Sequence, residues 1–577
     1  MVMRSTGEKY RSFKTAVYCT AHDVNRMADS GWLEKSFNVL SKSFSFDKVY
    51  LETFRDNVLV SIDLMLKVKS FFKDRGVETS GGIATYLSGG FSFQSLCYSK
   101  SEDREKLREV VKLTAKLFDE IIFDDFFFIN CKCEECVKAK GSRSWTEYRL
   151  RLMEDVAENI VVKTAREVNP SVKLIIKYPN WYDHYHYLGY SLDFESKLFD
   201  MIYTGTETRD PEYTHQHLQE YQSYAIMRYL ENVKPGGNGG GWIDPYMRRT
   251  LDRYIEQIRL TIFARAKEVT LFCYGSLLES IKQNGASTPT STVAPTVGKV
   301  FEDMDLLIGK LGQPYGVKSY RPFNSSGEDF LHNYIGMLGI PIELTPRFPE
   351  ENETVFLTEC AKFDEEIMGK IKNHLVNGGD VIITSGFMKA MQNEVSRELV
   401  EVEYTGGKIL VKDFSEFFPF RDVYHSDVEI LVPHLKYPTN DAWEIVTCLS
   451  KGNGYPLLMG TNYGRGVLYI LTIPDNFNDL YHLPPQVLNI VRKVFSKNLK
   501  INLEGPSRVC IFLYDNDAFI LHSFQTHPSA VNITIKGRGL RLRELVSEEV
   551  FNGFERNCET VFQVYLQPSS YRAFRVE

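Results

Sequence analysis

The sequence predicts an α/β protein with three successive parts: a (β/α)₈ TIM barrel, a smaller doubly wound α/β domain and a C-terminal β-sandwich. Three observations indicate this order. Short apolar runs alternate with amphipathic stretches up to about residue 311. Buried strands, helices and glycine turns then alternate up to about residue 500. Alternating apolar and polar residues dominate the remainder, which is typical of antiparallel strands.

The first part contains eight apolar runs that read as strands. They are TAVYCTAHD (15–23), KVYLETFR (48–55), GIATYL (82–87), EIIFDDFFFI (120–129), KLIIKYPNW (173–181), DMIYTGTE (200–207), GGGWIDP (239–245) and VTLFCYG (269–275). The stretches between them place apolar residues at i, i+3, i+4 and i+7, as amphipathic helices do. The seventh run is rich in glycine and is the weakest strand. Eight strands alternating with helices predict a closed barrel over residues 1–311.

Two further domains are expected after the barrel. In residues 312–500, LVNGGDVIITSG (375–386) combines a helix end, a glycine turn and a buried strand, so parallel βαβ units are expected. In residues 501–577, segments such as RVCIFLYDN (508–516) and VNITIKG (531–537) predict a small antiparallel sandwich.

Composition excludes several classes of partner. The formal net charge is −7 and the pI is about 6.0, so no basic surplus exists to neutralise the phosphates of a nucleic acid or an anionic membrane. The N-terminal segment is polar, and no apolar run reaches the length of about 20 residues that spans a bilayer. Ten cysteines in 577 residues do not form a disulfide framework. We therefore expect a cytoplasmic protein.

Polar and aromatic residues gather at the ends of the predicted strands, where barrels of this class place their active sites. Taken in strand order, they are His22; Glu52 and Arg55; Asp124 and Asp125; Lys177, Tyr178, Asn180 and Trp181; Glu207 and Arg209; Trp242 and Asp244; and Tyr274. Such a ring of carboxylates, amides and aromatic rings is typical of a sugar-binding pocket. The alternatives are that the tryptophans pack in the core and that the charged residues form surface ion pairs or helix caps.

Four carboxylates are candidates for catalysis. Glycoside hydrolysis needs two carboxyl groups, one to protonate the leaving oxygen and one to act as nucleophile or base. Strand alternation turns only one of Asp124 and Asp125 toward the barrel axis. Glu207 is the second candidate, and Arg209 would keep a neighbouring carboxyl ionised. Asp244 is the third, although Asp-Pro before a helix is also a common N-cap.

The segment NCKCEEC places Cys131, Cys133 and Cys136 directly after the fourth strand. The nearest upstream cysteine, Cys97, follows the third strand, so the two loops are expected side by side. Four thiolates suit a closed, structural Zn²⁺ site and leave no position for a catalytic water. Reduced thiols without a metal are the alternative. No organic cofactor is expected.

The cysteine pattern and the order of domains resemble those of the glycoside hydrolase family 42 β-galactosidases. The resemblance implies a middle amidotransferase-like domain that forms trimers, a C-terminal β-domain and a zinc held by the four cysteines. It places Asp125 at the position of the family's acid/base glutamate, Asp124 at the preceding asparagine, and Asp244 at the nucleophile. Glu207 departs from this pattern, because carboxylates on strands four and six are similar to those of the retaining α-galactosidase type.

These observations together predict a glycoside hydrolase that acts on an oligosaccharide or small glycoside. One alternative is a non-catalytic carbohydrate-binding or scaffold protein on the same fold. A metal-dependent barrel hydrolase is less favoured, because a His-x-His motif, His184 and His186, falls in a loop predicted after the fifth strand. A homo-oligomer, by resemblance a trimer, is expected.

Overall fold

Eight parallel strands close into a barrel in the first of two compact units, Met1–Gly309. The computed structural model describes residues 9–89, 93–212, 214, 216, 218–246, 251–279, 292–416 and 422–577. The barrel strands are β1 (Lys14–Cys19), β2 (Lys48–Arg55), β3 (Glu78–Ile83), β4 (Glu120–Phe123), β5 (Lys173–Tyr178), β6 (Met201–Gly205), β7 (Asn238–Ile243) and β8 (Glu268–Phe272). Each pairs in parallel with the next, and β1 pairs with both β2 and β8, which confirms the predicted barrel.

Helices follow the strands as the apolar periodicity predicts. The α-helices described in this unit are Ala21–Arg26, Ser30–Ser43, Ile62–Lys73, Ser101–Leu117, Glu134–Lys140, Trp145–Asp155, Lys163–Val168, Tyr185–Leu188, Leu192–Leu198, Gln222–Val233, Leu251–Phe263 and Val293–Ile308. In the amphipathic helix Ser101–Leu117, the residues Leu107, Val110 and Val111 lie on the apolar face and are buried. A π-helical segment, Val156–Val162, interrupts the helical stretch 145–168.

The glycine-rich seventh run does form a strand, because its glycines allow close packing. A Cβ at Gly240 would lie 2.2 Å from the carbonyl oxygen of Glu268, and a Cβ at Gly241 would lie 2.3 Å from Thr261. Glycine is therefore required for β7 to approach its neighbours. Side chains rather than solvent fill the barrel interior, and Tyr18, Tyr50, Ile122, Ile175, Tyr203 and Trp242 belong to one buried cluster.

The second unit, Lys310–Glu577, begins with a nine-stranded mixed sheet. Its strands are β9 (Val317–Tyr320), β10 (Ile342–Thr345), β11 (Thr354–Leu357), β12 (Asp380–Thr384), β13 (Glu403–Glu416), β14 (Val423–Lys436), β15 (Trp443–Ser450), β16 (Asn453–Tyr463) and β17 (Gly466–Leu471). The order is β10-β9-β11-β12-β17-β16-β15-β13-β14. The first five are parallel, as predicted. The antiparallel strands β13–β16 were not predicted.

The α-helices described in the second unit are Leu331–Met337, Ile367–Val376, Ser385–Ala390, Gln392–Glu398 and Pro485–Phe495. Two antiparallel sheets complete the unit. One contains Pro314–Tyr315, Val509–Tyr514, Ala518–Ser523, Tyr571–Val576, Arg541–Glu544 and Val550–Asn552. The other contains Ile501–Glu504, Ser529–Lys536, Glu559–Leu566 and Phe554–Arg556. One apolar cluster draws residues from both sheets, as in a sandwich. The boundaries at 311 and 500 stay predictions. Among the described residues, no helix is both long and apolar enough to cross a membrane.

Candidate active site

A cavity of about 570 Å³ lies at the carboxyl ends of the barrel strands. The charged residues in its described lining are Arg55, Asp124, Asp125, Lys177, Glu207, Arg209 and Asp244. Each lies at the last residues of its strand or just beyond, so the parallel register brings together residues that are far apart in sequence.

Lys177 connects three of the candidate carboxylates. Its Nζ lies 2.7 Å from Oδ2 of Asp125, 3.0 Å from Oε1 of Glu207 and 3.4 Å from Oδ1 of Asp124. The same ammonium lies 4.3 Å from the ring centroid of Trp242. Since Asp125 and Glu207 contact one nitrogen atom, these two carboxylate oxygens cannot lie farther apart than the two distances combined, about 5.7 Å.

Arg55 forms a second charged network beside Lys177. Its Nη2 donates to Oδ2 of Asp124 at 2.6 Å, and its Nε donates to Oε2 of Glu52 at 2.9 Å. Glu52 is fully buried and accepts further hydrogen bonds from the Tyr18 hydroxyl and the Ala21 N–H, each at 2.6 Å. This network fixes Arg55, and through it Asp124, from below the cavity.

Arg209 and Asp244 form an ion pair in the cavity lining, in addition to the contacts of Lys177 and Arg55. Nη2 of Arg209 lies 2.9 Å from Oδ2 of Asp244. Oδ1 of Asp244 accepts from the Tyr246 N–H at 3.0 Å, as expected of a carboxylate that begins a turn. Both oxygens of Asp244 therefore have protein partners.

Among the described residues of the cavity lining, carboxylates outnumber cations, and this excess of negative charge influences their protonation. Four carboxylates face three cations, and Arg55 is shared with buried Glu52. Burial raises the pKa of Asp125, Lys177 opposes this effect and the negative charges of Asp124 and Glu207 add to it, and together they bring the pKa to about 7. Burial also raises the pKa of Glu207.

Asp124 behaves differently from its neighbour. Burial alone would raise its pKa, but Lys177 and Arg55 outweigh this effect and hold the pKa of Asp124 below its ordinary value. Its side chain is 2% exposed, against 20% for Asp125. Burial opposes the charge of Lys177 too, yet the three surrounding carboxylates raise its pKa, so this ammonium stays charged. The site thus pairs an ionised Asp124 with an Asp125 that carries a proton near neutral pH.

Local backbone structure positions Glu207. A Cβ at Gly205 would lie 2.6 Å from Oε2 of Glu207 and 3.0 Å from the carbonyl oxygen of Tyr178. Glycine at this last residue of β6 therefore leaves space for the carboxylate. The amide of Asn180 donates to the Glu207 carbonyl and also contacts Gln216. The end of β5 thereby holds the end of β6.

The structure brings together most, though not all, of the residues singled out from the sequence. The predicted residues that line the cavity are Arg55, Asp124, Asp125, Lys177, Asn180, Trp181, Glu207, Arg209, Trp242 and Asp244. Trp242 is 1% exposed and lies under the Lys177 ammonium, so little of its ring is open to a sugar.

Four predicted substrate-binding residues do not line the cavity. Tyr178 follows Lys177, so strand alternation turns it outward, where its hydroxyl donates to Glu195. Tyr274 is buried with its hydroxyl 3.1 Å from that of Ser36. His22 is exposed on the helix that follows β1, and Glu52 lies in the network beneath Arg55.

Sequence reasoning missed the aromatic side of the cavity. Tyr86, Phe93, Phe126, Phe128, Tyr246 and Phe272 also line it, together with Asn130, Leu188 and Gln216. A signal was present, because FFF (126–128) follows the strand-four aspartates at a position where a loop would ordinarily be polar.

The four cysteines form a compact cluster. Sγ of Cys97 lies 3.4 Å from Sγ of Cys136 and 3.7 Å from Sγ of Cys133, and all four sulfur atoms, Cys131 included, lie within 4.8 Å of one another. A tetrahedron with Zn–S bonds of about 2.3 Å has edges of about 3.8 Å, so the donor set fits a metal ion. Among the described residues, this is the only group of three or more His, Cys, Asp or Glu at such distances.

Comparison with known proteins gives matches along the chain. Residues 3–300 match the family model described as "Probable glycosyl hydrolase, catalytic domain". Residues 500–576 match "Probable glycosyl hydrolase, C-terminal domain", and residues 312–476 match "Uncharacterized protein SSO3021, second domain". The uncharacterized protein SSO3021 of Saccharolobus solfataricus is 26% identical, with 98% of this chain and 100% of that protein covered.

Two solved structures show how widely the fold is used. Gan42B, a GH42 β-galactosidase from G. stearothermophilus, superposes with a TM-score of 0.66 at 11% identity and covers 99% of this chain and 100% of its own. The exo-β-1,4-mannosidase Op5Man5 from an Opitutaceae bacterium superposes with a TM-score of 0.53 at 11% identity, covering 82% and 94%. At this identity the likeness concerns the fold, and the two proteins are named for different sugars.

Proposed function

The chain belongs to the family described as probable glycosyl hydrolases, and from this premise we propose that it is a retaining glycosidase in which Asp125 and Glu207 form the catalytic pair. The observation that carries the proposal is the shared contact of both carboxylates with Lys177. Retaining glycosidases place their two carboxyl groups about 5–5.5 Å apart, and inverting enzymes about 6.5–9.5 Å apart. An upper limit of about 5.7 Å between the Lys177-bound oxygens fits the retaining distance.

The environments of the two carboxyl groups suggest their roles. Asp125, with a pKa of about 7, holds the proton that the leaving oxygen needs. Glu207 attacks the anomeric carbon as the bond to the leaving oxygen breaks and Asp125 gives up its proton. Water then replaces Glu207 at that carbon while Asp125 takes a proton from the water. Lys177 holds both groups in place, and Asp124 keeps Lys177 and Arg55 oriented.

Asp244 is the second candidate for the nucleophile, because the family 42 pattern places a carboxylate there. Arg209 and the Tyr246 N–H occupy its two oxygens, which favours a role in orienting the sugar instead. Glu207, in contrast, has one oxygen on Lys177 and the other directed at the space above Gly205.

The test is a panel of α- and β-linked aryl glycosides with the wild type and Glu207→Gln. We expect turnover of one anomer, a loss of about 10⁴-fold in the variant, and a first-formed product of retained configuration by NMR. An inverted product would contradict the geometry. Full activity of Glu207→Gln would mean that Glu207 is not the nucleophile. Asp244 would then be the candidate, and Asp244→Asn would test it.

Two alternatives remain testable with the same proteins. A carbohydrate-binding scaffold would bind sugars and show no turnover, whichever carboxylate is replaced. A metal-dependent hydrolase would lose turnover on chelation; the described cavity-lining residues include no histidine, and the buried His186 lies in the short helix Tyr185–Leu188.

We also propose that Cys97, Cys131, Cys133 and Cys136 hold one structural zinc. A bound zinc would cross-link the loops after β3 and β4 and take no part in bond cleavage. Metal analysis should find one zinc per chain, absent from Cys131→Ser, which should also unfold at lower temperature. Wild-type protein with no metal would contradict this. The trimer and the cytoplasmic location stay predictions, the first open to light scattering.

A further inference from the structure

The cavity has two walls of different chemistry. Charged groups at or just after the ends of β2, β4, β5, β6 and β7 form one wall, which also includes Tyr246 and Phe272. The other consists of aromatic rings on the loops after β3, β4 and β5: Tyr86, Phe93, Phe126, Phe128 and Trp181. We call these five residues the aromatic wall. From this asymmetry we propose that the protein cleaves glycosides whose leaving group is a planar, apolar alcohol, and that the aromatic wall binds that group.

The rings form a continuous array. The centroid of Phe126 lies 4.8 Å from that of Tyr86 and 5.5 Å from that of Phe93, and Phe128 continues the array toward Trp181 at 6.5 Å. These separations are those of contacting aromatic pairs. The array therefore presents one extended aromatic surface, and the Arg55 guanidinium lies at its edge, 5.8 Å from the Tyr86 centroid and 5.5 Å from the Phe126 centroid.

Part of this surface is uncovered. Phe93 is 59% exposed although it lies at the cavity, and Tyr86, Phe126 and Trp181 are partly exposed. An exposed cluster of large apolar rings beside a cavity is a feature of binding surfaces, because covering it with an apolar ligand is favourable.

Side chain to main chain hydrogen bonds hold the loops in place. The hydroxyl of Thr85 donates to the Phe126 carbonyl at 2.6 Å, and that of Ser95 donates to the Phe128 carbonyl at 2.5 Å. The amide of Asn130 donates to the Phe93 carbonyl. The wall is thus shaped before a ligand arrives, which lowers the entropy cost of binding.

The position of the proton donor decides which part of the substrate meets this wall. A general acid protonates the oxygen of the leaving group, so that group must lie on the acid's side of the scissile bond. Asp125 is followed directly in the chain by Phe126, the ring at the centre of the array. The sugar then occupies the charged wall, and the leaving group the aromatic one.

The chemistry of the wall favours an apolar leaving group over a second sugar. A sugar presents hydroxyl groups that require donors and acceptors. Four of the five wall residues are phenylalanine or tryptophan, and of the nearby amides the Asn130 nitrogen donates to the Phe93 carbonyl while the Gln216 oxygen accepts from Asn180. This inference rests on the proposed glycosidase function, because it uses Asp125 as the acid.

The test compares substrates that share the sugar found in the aryl-glycoside panel. A 2-naphthyl and a phenyl glycoside have leaving groups of similar acidity but different apolar area, and the glycosyl fluoride has no aromatic leaving group. We expect kcat/KM to be about tenfold higher for naphthyl than for phenyl, since the second ring buries further apolar area. Phe93→Ala should remove most of this preference, because it should lower kcat/KM far more for the naphthyl glycoside than for the fluoride. Phe93→Trp should restore it.

Phe554→Ala is the matched control, because Phe554 is 56% exposed in the second unit. An unchanged naphthyl preference in Phe93→Ala, or a disaccharide of the same sugar cleaved better than the naphthyl glycoside, would overturn the inference. Binding of free 2-naphthol, followed by ligand-observed NMR, separates the two proposals. Naphthol binding that weakens in Phe93→Ala without any turnover would overturn the glycosidase function and leave the apolar site standing.

Discussion

Asp125 in the barrel and Glu328 in the second unit have the same perturbed pKa in different surroundings. Burial raises the pKa of both to about 7. Asp125 shares one ammonium with two other carboxylates and borders a cavity. Glu328 instead accepts hydrogen bonds from the Thr384 hydroxyl and from the main-chain N–H groups of Glu359 and Gly386.

The comparison shows that a perturbed pKa alone does not identify a catalytic group. Glu328 fills the turn between β12 and the helix Ser385–Ala390, and a Cβ at Gly386 would lie 2.3 Å from its carboxylate. The donors there are engaged by the protein's own carboxyl. Asp125 is distinguished by access to the cavity and by a surplus of negative charge around it.

The largest effect that tests this comparison is on turnover. We expect Asp125→Asn to lower kcat/KM about 10³-fold for glycosides with poor leaving groups and to spare those with good ones, because only the former need a proton. Wild-type activity should fall as the pH rises through about 7, where Asp125 loses that proton. Glu328→Gln should stay within about twofold of wild type. Leaving-group and pH profiles measure this; equal losses in both variants would break the distinction.

A smaller effect is expected from the backbone beside Glu207. In Gly205→Ala the new Cβ would collide with the Glu207 carboxylate, so we expect kcat to fall about 10–100-fold with the fold intact. The matched control is Gly369→Ala in the helix Ile367–Val376, where nothing lies within 4 Å of the added carbon. That variant should keep full activity and gain up to about 1 kcal/mol from helix propensity. An active Gly205→Ala enzyme would show that the position of Glu207 is not critical.

Much of this site was predictable, and the exceptions have physical causes. Strand order and the barrel rule place Asp125, Glu207 and Asp244 at one mouth without any knowledge of side-chain direction. The predicted side-chain direction was wrong for Tyr178. Lys177 and Tyr178 are successive residues of one strand, so only one of them can face the barrel axis, and that residue is Lys177. The bridging contacts of Lys177 depend on distances between three strands, which no spacing along the chain contains.

The fold, like the site, could be predicted from the sequence only in part. Period and length predict the eight barrel strands and the parallel part of the second sheet. The antiparallel strands β13–β16 were missed although they are long, because much of β13 and β14 is exposed and lacks a buried apolar run. The aromatic wall was missed because loops are expected to be polar, whereas a ligand surface need not be.

The smallest expected effect is on stability, and it should have opposite signs at the two carboxyl groups. The folded pKa of Asp125, about 7, lies above the ordinary value of 3.8, so ionising this group weakens the folded state as the pH rises from about 4 to about 7. Asp125→Asn removes this penalty, and its amide can donate to Asp124 or Glu207. We expect the free energy of unfolding at pH 8 to rise by about 1–2 kcal/mol, with no gain at pH 4.

Glu328→Gln should instead lower the free energy of unfolding by about 1–3 kcal/mol, although it too removes an ionisable group with a raised pKa. The reason is the set of partners: Thr384, Glu359 and Gly386 all donate to this site, so the glutamine amide brings a further donor that finds no acceptor. Chemical denaturation of both variants at pH 4 and pH 8 measures the difference. Stabilisation of both at pH 8 would mean that burial of charge, and not the pattern of hydrogen-bond partners, governs both carboxyl groups.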